Sequence, residues 1–232
     1  MTMAARCSFA RAAAVGLVLG VASPAFAVKY MTIGEAVGTF IPKGTKVFKV
    51  TKSVEPELRA RIVRDYGWEP AEPQYEFYVG RDGGGQPLAY VFVVPEVFNT
   101  CFHKYAVGMK QDGEVIETVI VELSCPRAFP VNRKSFLTQF KAKRHTDALT
   151  TKLDVDAVTG ATLSSEATAE ATRKAVSLHN LFFGGAAPVK ADPKIQAARA
   201  KGLGAIKKAI ETGETLDKQG QGGGAQLPPE SK

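Results

Sequence analysis

The sequence predicts an α+β fold, a single domain in which helices flank an antiparallel sheet. Runs of aromatic and β-branched residues fall between residues 46 and 123, and glycine-containing turns separate them. Asp112-Gly113 stands between two such runs, which is a strong hairpin signal. Helical patterns lie on either side of this hairpin region. Together these features indicate an α+β unit built on an antiparallel sheet.

Two helices and a strand open the predicted domain. Thr32 and Glu35 have the spacing of a capping box, so a short helix is expected to begin there. Residues 46–51 alternate polar and apolar side chains and predict a strand. Residues 53–66 predict a second helix, with Val63 on its buried side.

Four further strands are expected, and the last two form the hairpin. They cover residues 75–79, 88–94, 103–110 and 114–123. The last strand is apolar on both faces for much of its length, which predicts a central position in the sheet. A short helix over residues 134–140 follows it.

A hydroxyl-rich turn that runs into a helix is the most informative stretch of the chain. It reads Asp156-Ala157-Val158-Thr159-Gly160-Ala161-Thr162-Leu163-Ser164-Ser165. Gly160 can adopt a backbone conformation that residues with a Cβ avoid, and Ala161 adds little bulk, so a ligand can approach closely. Ser164 and Ser165 are the expected N-cap residues of a helix that ends near residue 183. Because a helix N-terminus suits an anion, the stretch predicts a phosphate site.

The pattern Asp-x-x-Thr-Gly-Ala-Thr, followed by x-Ser-Ser, resembles the flavinylation motif of the FMN-binding domain family. That family includes the C subunit of the sodium-pumping NADH:quinone reductase, the G subunit of the Rnf complex and many exported redox proteins. In such proteins a separate, exported FMN transferase esterifies the last threonine of the motif to the phosphate of FMN. The resemblance therefore implies covalent FMN on Thr162. The alternative is a turn with an N-cap and no ligand.

The resemblance also implies which residues surround the cofactor. Near Thr162 they are Asp156, Thr159, Gly160, Ala161, Leu163, Ser164 and Ser165. The family commonly carries a Glu-Thr-Pro-Gly-like loop after the central strand, and residues 122–127 correspond to it here. Its candidate cofactor contacts are Glu122, Cys125 and Arg127. This loop has no glycine, which leaves the shape of the ring pocket open.

Two cysteines, Cys101 and Cys125, flank the predicted hairpin. Pairing outward from Asp112-Gly113 places Cys101 opposite Ser124, so the two cysteine side chains would point to opposite faces. One β-bulge or a bent strand end would correct that offset. A disulfide, a single reactive thiol beside the flavin and two free thiols are therefore all open.

Neither a metal site nor an aromatic stacking platform is predicted. The three histidines are scattered, and no Cys-x-x-Cys or His-x-x-x-His spacing occurs. Trp68, Tyr75, Phe77 and Tyr78 are interpreted as core residues, with stacking on a flavin ring as the alternative.

Composition divides the chain into three parts. Residues 1–27 predict a cleaved signal peptide, because arginines precede an apolar run that is too short to span a bilayer and Ala25-Phe26-Ala27 is a cleavage site. An uncleaved anchor is the alternative. Residues 28–185 are the expected FMN-binding domain. Residues 186–232 predict a basic, flexible tail, in which residues 194–212 fit a basic helix.

The formal net charge of +7 and the expected export complete the functional hypothesis. An exported chain seldom meets nucleic acid, so we interpret the positive charge as attraction to an anionic membrane surface or an acidic redox partner. The sequence thus predicts a periplasmic or otherwise extracytoplasmic electron-transfer flavoprotein rather than a stand-alone enzyme. Its expected partners are an FMN transferase and redox proteins, some of them membrane-associated. The alternatives are a flavin-dependent reductase of a small molecule and a cofactor-free binding or structural module.

Overall fold

One antiparallel sheet forms the centre of the structure. The computed structural model describes residues 27–98, 101–184 and 192–212, and six strands lie within these ranges. They are β1 (Val28–Lys29), β2 (Lys46–Ser53), β3 (Gln74–Arg81), β4 (Pro87–Phe98), β5 (Cys101–Lys110) and β6 (Val115–Leu123). Their order across the sheet is β1-β6-β5-β4-β3-β2. All neighbouring strands are antiparallel, which confirms the predicted α+β class. The predicted signal peptide lies outside the described residues except for Ala27.

Helices flank the sheet along the described part of the chain. They are α1 (Ile33–Phe40), α2 (Pro56–Arg61), α3 (Lys134–Leu137), α4 (Thr162–His179) and α5 (Pro193–Thr212). Helix α2 continues into a π-helical turn over Ile62–Tyr66, α3 into a 3₁₀ turn over Thr138–Phe140, and α4 into a π-helical turn over Asn180–Gly184. A further 3₁₀ segment covers Pro126–Asn132.

The capping box at the start of α1 is confirmed, whereas one detail of α2 is wrong. The Glu35 N–H donates to the Thr32 hydroxyl at 3.2 Å, and the Thr32 N–H donates to the Glu35 carboxylate at 2.7 Å. Val63 is 48% exposed although the sequence placed it on the buried side. It lies in the π-helical turn, whose wider spacing moves side chains away from positions expected for an α-helix.

The two faces of the sheet pack against different helices. On one face, apolar residues of β3–β6 such as Phe92 and Val107 form the main core with Ala169 and Ala171 of α4. On the other face, α1 packs through Phe40 and its neighbours against a smaller cluster. Alternate residues of each strand therefore face α4 or α1.

Strand β6 is not central as predicted. It pairs with β5 on one side, and on the other it meets only the two-residue β1. Its apolar character has a different cause, because both of its faces are covered. Ile120 belongs to the main core beside α4, whereas Val121 packs in the α1 cluster.

Helix α5 packs on the domain, although the sequence placed residues 186–232 in a flexible tail. Its predicted extent, residues 194–212, agrees closely with Pro193–Thr212. Ala198 is buried, and the guanidinium of Arg199 donates to the carbonyls of Ala148 at 3.0 Å and Asp147 at 2.6 Å. These buried contacts hold the helix against the loop before the motif.

Candidate functional site

A β-turn leads into helix α4 at the sequence motif. The Ala161 N–H donates to the Val158 carbonyl at 2.9 Å, which places Thr159 and Gly160 at the two central positions. Gly160 has φ +77°, the left-handed conformation that only glycine adopts readily. A Cβ at Gly160 would meet no atom within 4 Å, so the space beside the turn is open.

Two side chains fix the backbone of the motif. The Ser165 hydroxyl accepts the N–H of Val158 at 3.0 Å and donates to the Ala161 carbonyl at 2.9 Å. The side-chain amide of Gln139 accepts the Asp156 N–H at 2.7 Å and donates to the Asp156 carbonyl at 3.1 Å. Both ends of the turn are therefore held by neutral groups that add no charge to the site.

Helix α4 begins earlier than the sequence suggested. It starts at Thr162, with Ala161 in the N-cap position and no side-chain cap. Ser164 and Ser165 lie inside the first turn and are buried, so their prediction as N-cap residues is wrong. The turn at Gly160 already bends the chain into the helix, and Ser165 instead reaches back to the motif backbone.

Thr162 is exposed at the start of an otherwise buried helix, since residues 164–173 are all buried. The other exposed motif residues are Asp156, Ala157, Thr159 and Gly160. The first N–H groups of an α-helix have no carbonyl partner within the helix and carry partial positive charge. The Thr162 side chain thus lies in solvent at a position that favours an anion.

Buried hydroxyl groups join α4 to the sheet. The Thr168 hydroxyl donates to the Ser164 carbonyl at 2.8 Å and lies 3.2 Å from the Tyr105 hydroxyl. The hydroxyls of Thr118 and Thr172 lie 3.0 Å apart. These bonds satisfy groups that would otherwise destabilise the core, and they orient the helix over β5 and β6.

Glu166 joins α4 to the loop that precedes the motif. Its carboxylate accepts hydrogen bonds from the Thr150 hydroxyl at 2.9 Å, the Thr151 N–H at 2.7 Å and the Thr151 hydroxyl at 2.6 Å. Arg173 donates to the Leu149 carbonyl at 2.8 Å. The approach of the loop to the motif is therefore set by buried polar contacts.

A buried ion cluster lies between α4 and β4. Lys174 Nζ lies 2.8 and 2.9 Å from the two carboxylate oxygens of Glu96 and 3.0 Å from the Glu170 carboxylate. Burial raises the pKa of Glu96 to about 7, although Lys174 lowers it. Burial lowers the pKa of Lys174, but the two carboxylates outweigh it and the net shift is upward. The Glu96 carboxyl is therefore easier to protonate than that of an exposed glutamate.

The structure contains the Cys101–Cys125 disulfide, one of the three states that the sequence left open. A register shift between Lys104 and Tyr105 makes His103 pair with Leu123. Continued along β5, this register brings Cys101 opposite Cys125, and the two Cα atoms lie 5.5 Å apart. Of the two corrections that the sequence allowed, the structure contains the β-bulge.

His103 joins the two cysteines in one group, which the sequence analysis missed. One of its ring nitrogens and the two sulfur atoms all lie within 4.8 Å of one another. Its Nδ1 lies 2.9 Å from the Tyr105 hydroxyl. Burial lowers the pKa of His103 to about 4, so the imidazole is neutral at physiological pH. The signal was present in the sequence, because Cys101 and His103 are two residues apart and share one face of a strand.

The structure places the loop candidates on two sides of the sheet. Cys125 leads into the 3₁₀ segment Pro126–Asn132, which packs against α4, and Arg127 is exposed on this segment. Glu122 pairs with Lys104 across the strands, and their side chains form an ion pair at 3.3 Å. Lys104 alternates with Tyr105 of the main core, so this ion pair lies on the face that carries α1. The role of Glu122 in binding FMN stays a prediction.

The aromatic residues considered for stacking lie in the core. Trp68, Tyr75 and Phe77 belong to or pack on the main cluster, whereas Tyr78 packs in the cluster with α1. The Trp68 indole N–H donates to the Ser177 hydroxyl at 3.0 Å. The interpretation as core residues is confirmed for Trp68 and Phe77, whereas Tyr75 and Tyr78 are half-buried and pack on the margins of the two clusters.

Comparison with known families identifies the region that contains this site. Residues 103–177 match the family described as FMN-binding domain. The chain carries an FMN-binding domain. The match covers His103, the disulfide partner Cys125 and the whole motif, and it ends near the last turns of α4. This match supports a flavin-binding protein with FMN as the cofactor. No curated protein matches the chain at a significant level.

The residues at the start of α4 fit the phosphate end of FMN. An exposed threonine hydroxyl, first-turn N–H groups and open space beside Gly160 occur together at this point. Half-buried Val158 and Leu163 add apolar surface next to the turn. Across the described ranges, none of the helices combines the length and apolar character that crossing a bilayer requires.

Proposed function

We propose that this FMN-binding domain belongs to an exported electron-transfer flavoprotein whose FMN is attached through a phosphoester to Thr162. The observation that carries the proposal is the position of Thr162. It is the exposed first residue of a buried helix, directly after a turn that only a glycine-containing sequence forms easily. A hydroxyl in this place is accessible to a modifying enzyme and presents its oxygen where a phosphate is favoured.

When bound, FMN supplies the redox chemistry, and the protein supplies attachment and orientation. The Thr162 oxygen would hold the phosphorus, and the N–H groups of the first turn would stabilise the phosphate charge. Ser165 and Gln139 fix the turn so that the hydroxyl keeps its direction. Val158 and Leu163 offer apolar contact to the part of the cofactor that lies nearest the turn.

Two features support export to an oxidising compartment. The Cys101–Cys125 disulfide is of a kind that persists outside the cytoplasm. Cleavage after Ala27 would leave strand β1 intact, since Val28 pairs with Leu123 at the edge of the sheet. A phosphoester would also retain FMN where a dissociating cofactor is lost by dilution.

The proposed partners follow from this chemistry. An exported FMN transferase would form the phosphoester during maturation. Redox proteins, some of them membrane-associated, would then exchange electrons with the attached flavin. The basic character of the chain suits an acidic partner or an anionic membrane surface.

The test is co-expression with an FMN transferase, followed by intact-mass measurement of the denatured protein. We expect wild type to carry one covalent FMN and to stay yellow after denaturation. Thr162→Val removes the acceptor oxygen and should abolish both signals. Thr159→Val is the matched control, because Thr159 is an exposed threonine in the same turn.

The outcomes separate the proposal from its alternatives. Covalent flavin on Thr162→Val would place the attachment elsewhere. Loss of flavin from both variants would indicate that the turn as a whole, rather than one oxygen, is required. Wild type without added mass would support a non-covalent site.

A further inference from the structure

We propose that the Cys101–Cys125 disulfide is a second redox centre, which accepts two electrons from the reduced flavin of the same domain and becomes a dithiol. This inference rests on the proposed function, since it places the flavin at Thr162. A redox-active disulfide differs from a structural one because its S–S bond opens and closes during electron transfer. The observations that support it are the position of the disulfide, its exposure and the group beside it.

The disulfide lies beside the first two turns of α4. Cys101 and Leu163 both pack against the same buried pair, Ala167 of α4 and Ile206 of α5. Leu163 is the neighbour of the FMN acceptor Thr162, and Ala167 follows that acceptor by roughly 7.5 Å along the helix axis at about 1.5 Å per residue. The disulfide therefore packs on the same short part of α4 that carries the acceptor residue Thr162.

The other cysteine, Cys125, lies just after the end of the neighbouring strand β6. Cys125 packs on the main core, as does Val158 of the motif turn. It also leads into the 3₁₀ segment Pro126–Asn132, which packs against α4. Both cysteines are only partly buried, so the bond is within reach of reductants and of thiol reagents.

His103 supplies a proton acceptor and donor next to the sulfur atoms. A ring nitrogen lies within 4.8 Å of both sulfurs, and Nδ1 lies 2.9 Å from the Tyr105 hydroxyl. The Tyr105 hydroxyl lies 3.2 Å from that of Thr168, which donates to the Ser164 carbonyl. A line of polar groups thus connects the disulfide with the first turn of α4.

The proposed step balances in electrons and protons. The S–S bond breaks, and each sulfur gains one electron and one proton to give the thiols of Cys101 and Cys125. The reduced, dihydro form of the flavin loses two electrons and two protons and returns to the oxidised form. The neutral imidazole of His103 offers one N–H donor and one acceptor nitrogen beside the sulfur that leaves first as a thiolate. Reoxidation by an acceptor protein reverses the sequence at the sulfurs.

The experiment is an anaerobic reductive titration of the flavinylated full chain with dithionite, with cysteine alkylation and mass measurement at each point. We expect wild type to take up about four electrons per chain, two for the flavin and two for the disulfide. Alkylation of both cysteines should rise together with flavin reduction. The Cys101→Ser/Cys125→Ser double variant, shown to be folded by circular dichroism, should take up about two electrons.

Two results would overturn the inference. The first is that wild type consumes only the electrons of its flavin and leaves both cysteines unlabelled. The second is that the disulfide opens only under denaturing conditions. Neither result depends on the double variant, so a folding defect in that variant leaves the test intact. Thr162→Val lacks the proposed attachment but keeps the disulfide. Alkylation of its two cysteines in a glutathione redox buffer therefore measures reduction of the disulfide in the absence of attached flavin. Failure of flavin attachment in wild type would contradict the proposed function, whereas closed cysteines beside a reduced flavin would contradict only this inference.

The role of His103 is tested by the pH profile of alkylation in the reduced protein. His103→Gln should lower the rate of iodoacetamide reaction near neutral pH roughly ten-fold, because the thiolate fraction follows the thiol pKa. His145→Gln is the control, since His145 follows Arg144 in the loop and does not belong to the cysteine group. An unchanged profile in His103→Gln would remove the histidine from the mechanism.

Discussion

At the scale of single residues, Gly160 decides how the chain enters α4. Its φ of +77° costs a residue with a Cβ about 1–2 kcal/mol. Because a Cβ there would meet nothing within 4 Å, this cost is purely conformational. The sequence indicated that Gly160 could adopt such a conformation, and the structure shows that it does. The hydrogen bonds of Ser165 to Val158 and Ala161 were not predicted, because these partners come into position only once the turn has formed.

Gly160→Ala should therefore lower the free energy of unfolding by about 1–2 kcal/mol. It should also reduce the yield of covalent FMN, since the turn that presents Thr162 becomes strained. Urea denaturation and intact mass measure the two effects. Gly83→Ala is the control, because Gly83 lies in a surface turn where a Cβ also meets nothing and φ is not positive. Equal stability losses in both variants would contradict the conformational explanation.

At the scale of elements, one glycine, Gly202, allows α5 to approach α4 closely. A Cβ on Gly202 would collide with the carboxylate of Glu166 and approach the Thr150 hydroxyl to 3.0 Å. The carboxylate cannot move aside freely, since Thr150 and Thr151 hold it through several hydrogen bonds. The sequence indicated a helix in this segment but gave no sign of this contact, because it joins residues far apart in the chain.

Gly202→Ala should weaken the packing of α5 by about 1–3 kcal/mol, less the gain of up to about 1 kcal/mol in helix propensity. We expect faster limited proteolysis within residues 192–212 and a lower denaturation midpoint. Gly204→Ala adds the same methyl group where nothing lies within 4 Å, so it should be neutral or slightly stabilising. Slower proteolysis of Gly202→Ala than of wild type would contradict the proposed contact.

At the scale of the whole molecule, two buried histidines make stability depend on pH. Burial lowers the pKa of both His103 and His179 to about 4. The unfolded chain binds these protons near pH 6.5, whereas the folded chain resists them, so stability is lost as the pH falls from about 6.5 towards 4. Glu96, with a pKa raised to about 7, acts in the opposite direction and offsets part of the loss.

The variant His179→Phe isolates one of these contributions. The ring of His179 packs against Tyr90 and Phe183, and a phenyl ring keeps an aromatic group there without the titration. Between pH 6.5 and 5, wild type should lose up to about 2 kcal/mol more stability than the variant. Urea denaturation at several pH values measures this difference. If the free energy of unfolding depended on pH in the same way in both proteins, His179 would not titrate as proposed.

Local patterns predicted much of this fold, and long-range contacts account for the rest. The Thr32–Glu35 capping box, the hairpin at Asp112-Gly113 and the turn at Gly160 each depend on neighbours in sequence, and the structure contains all three. The position of the bulge that aligns Cys101 with Cys125 depends on packing along β5 and β6. The sequence therefore left the disulfide as one of three states. The position of β6 next to the two-residue edge strand β1 was missed, because a strand whose two faces are covered by helices has the same apolar pattern wherever it lies in the sheet.

The most direct measurement is peptide mapping of the protein purified from its native envelope. Proteolysis followed by mass spectrometry should find FMN on the peptide that contains Thr162, with the modification at that threonine and with a mature chain that starts at Val28. A fully occupied Thr162 peptide without added mass, or FMN on a different residue, would contradict covalent attachment at the start of α4.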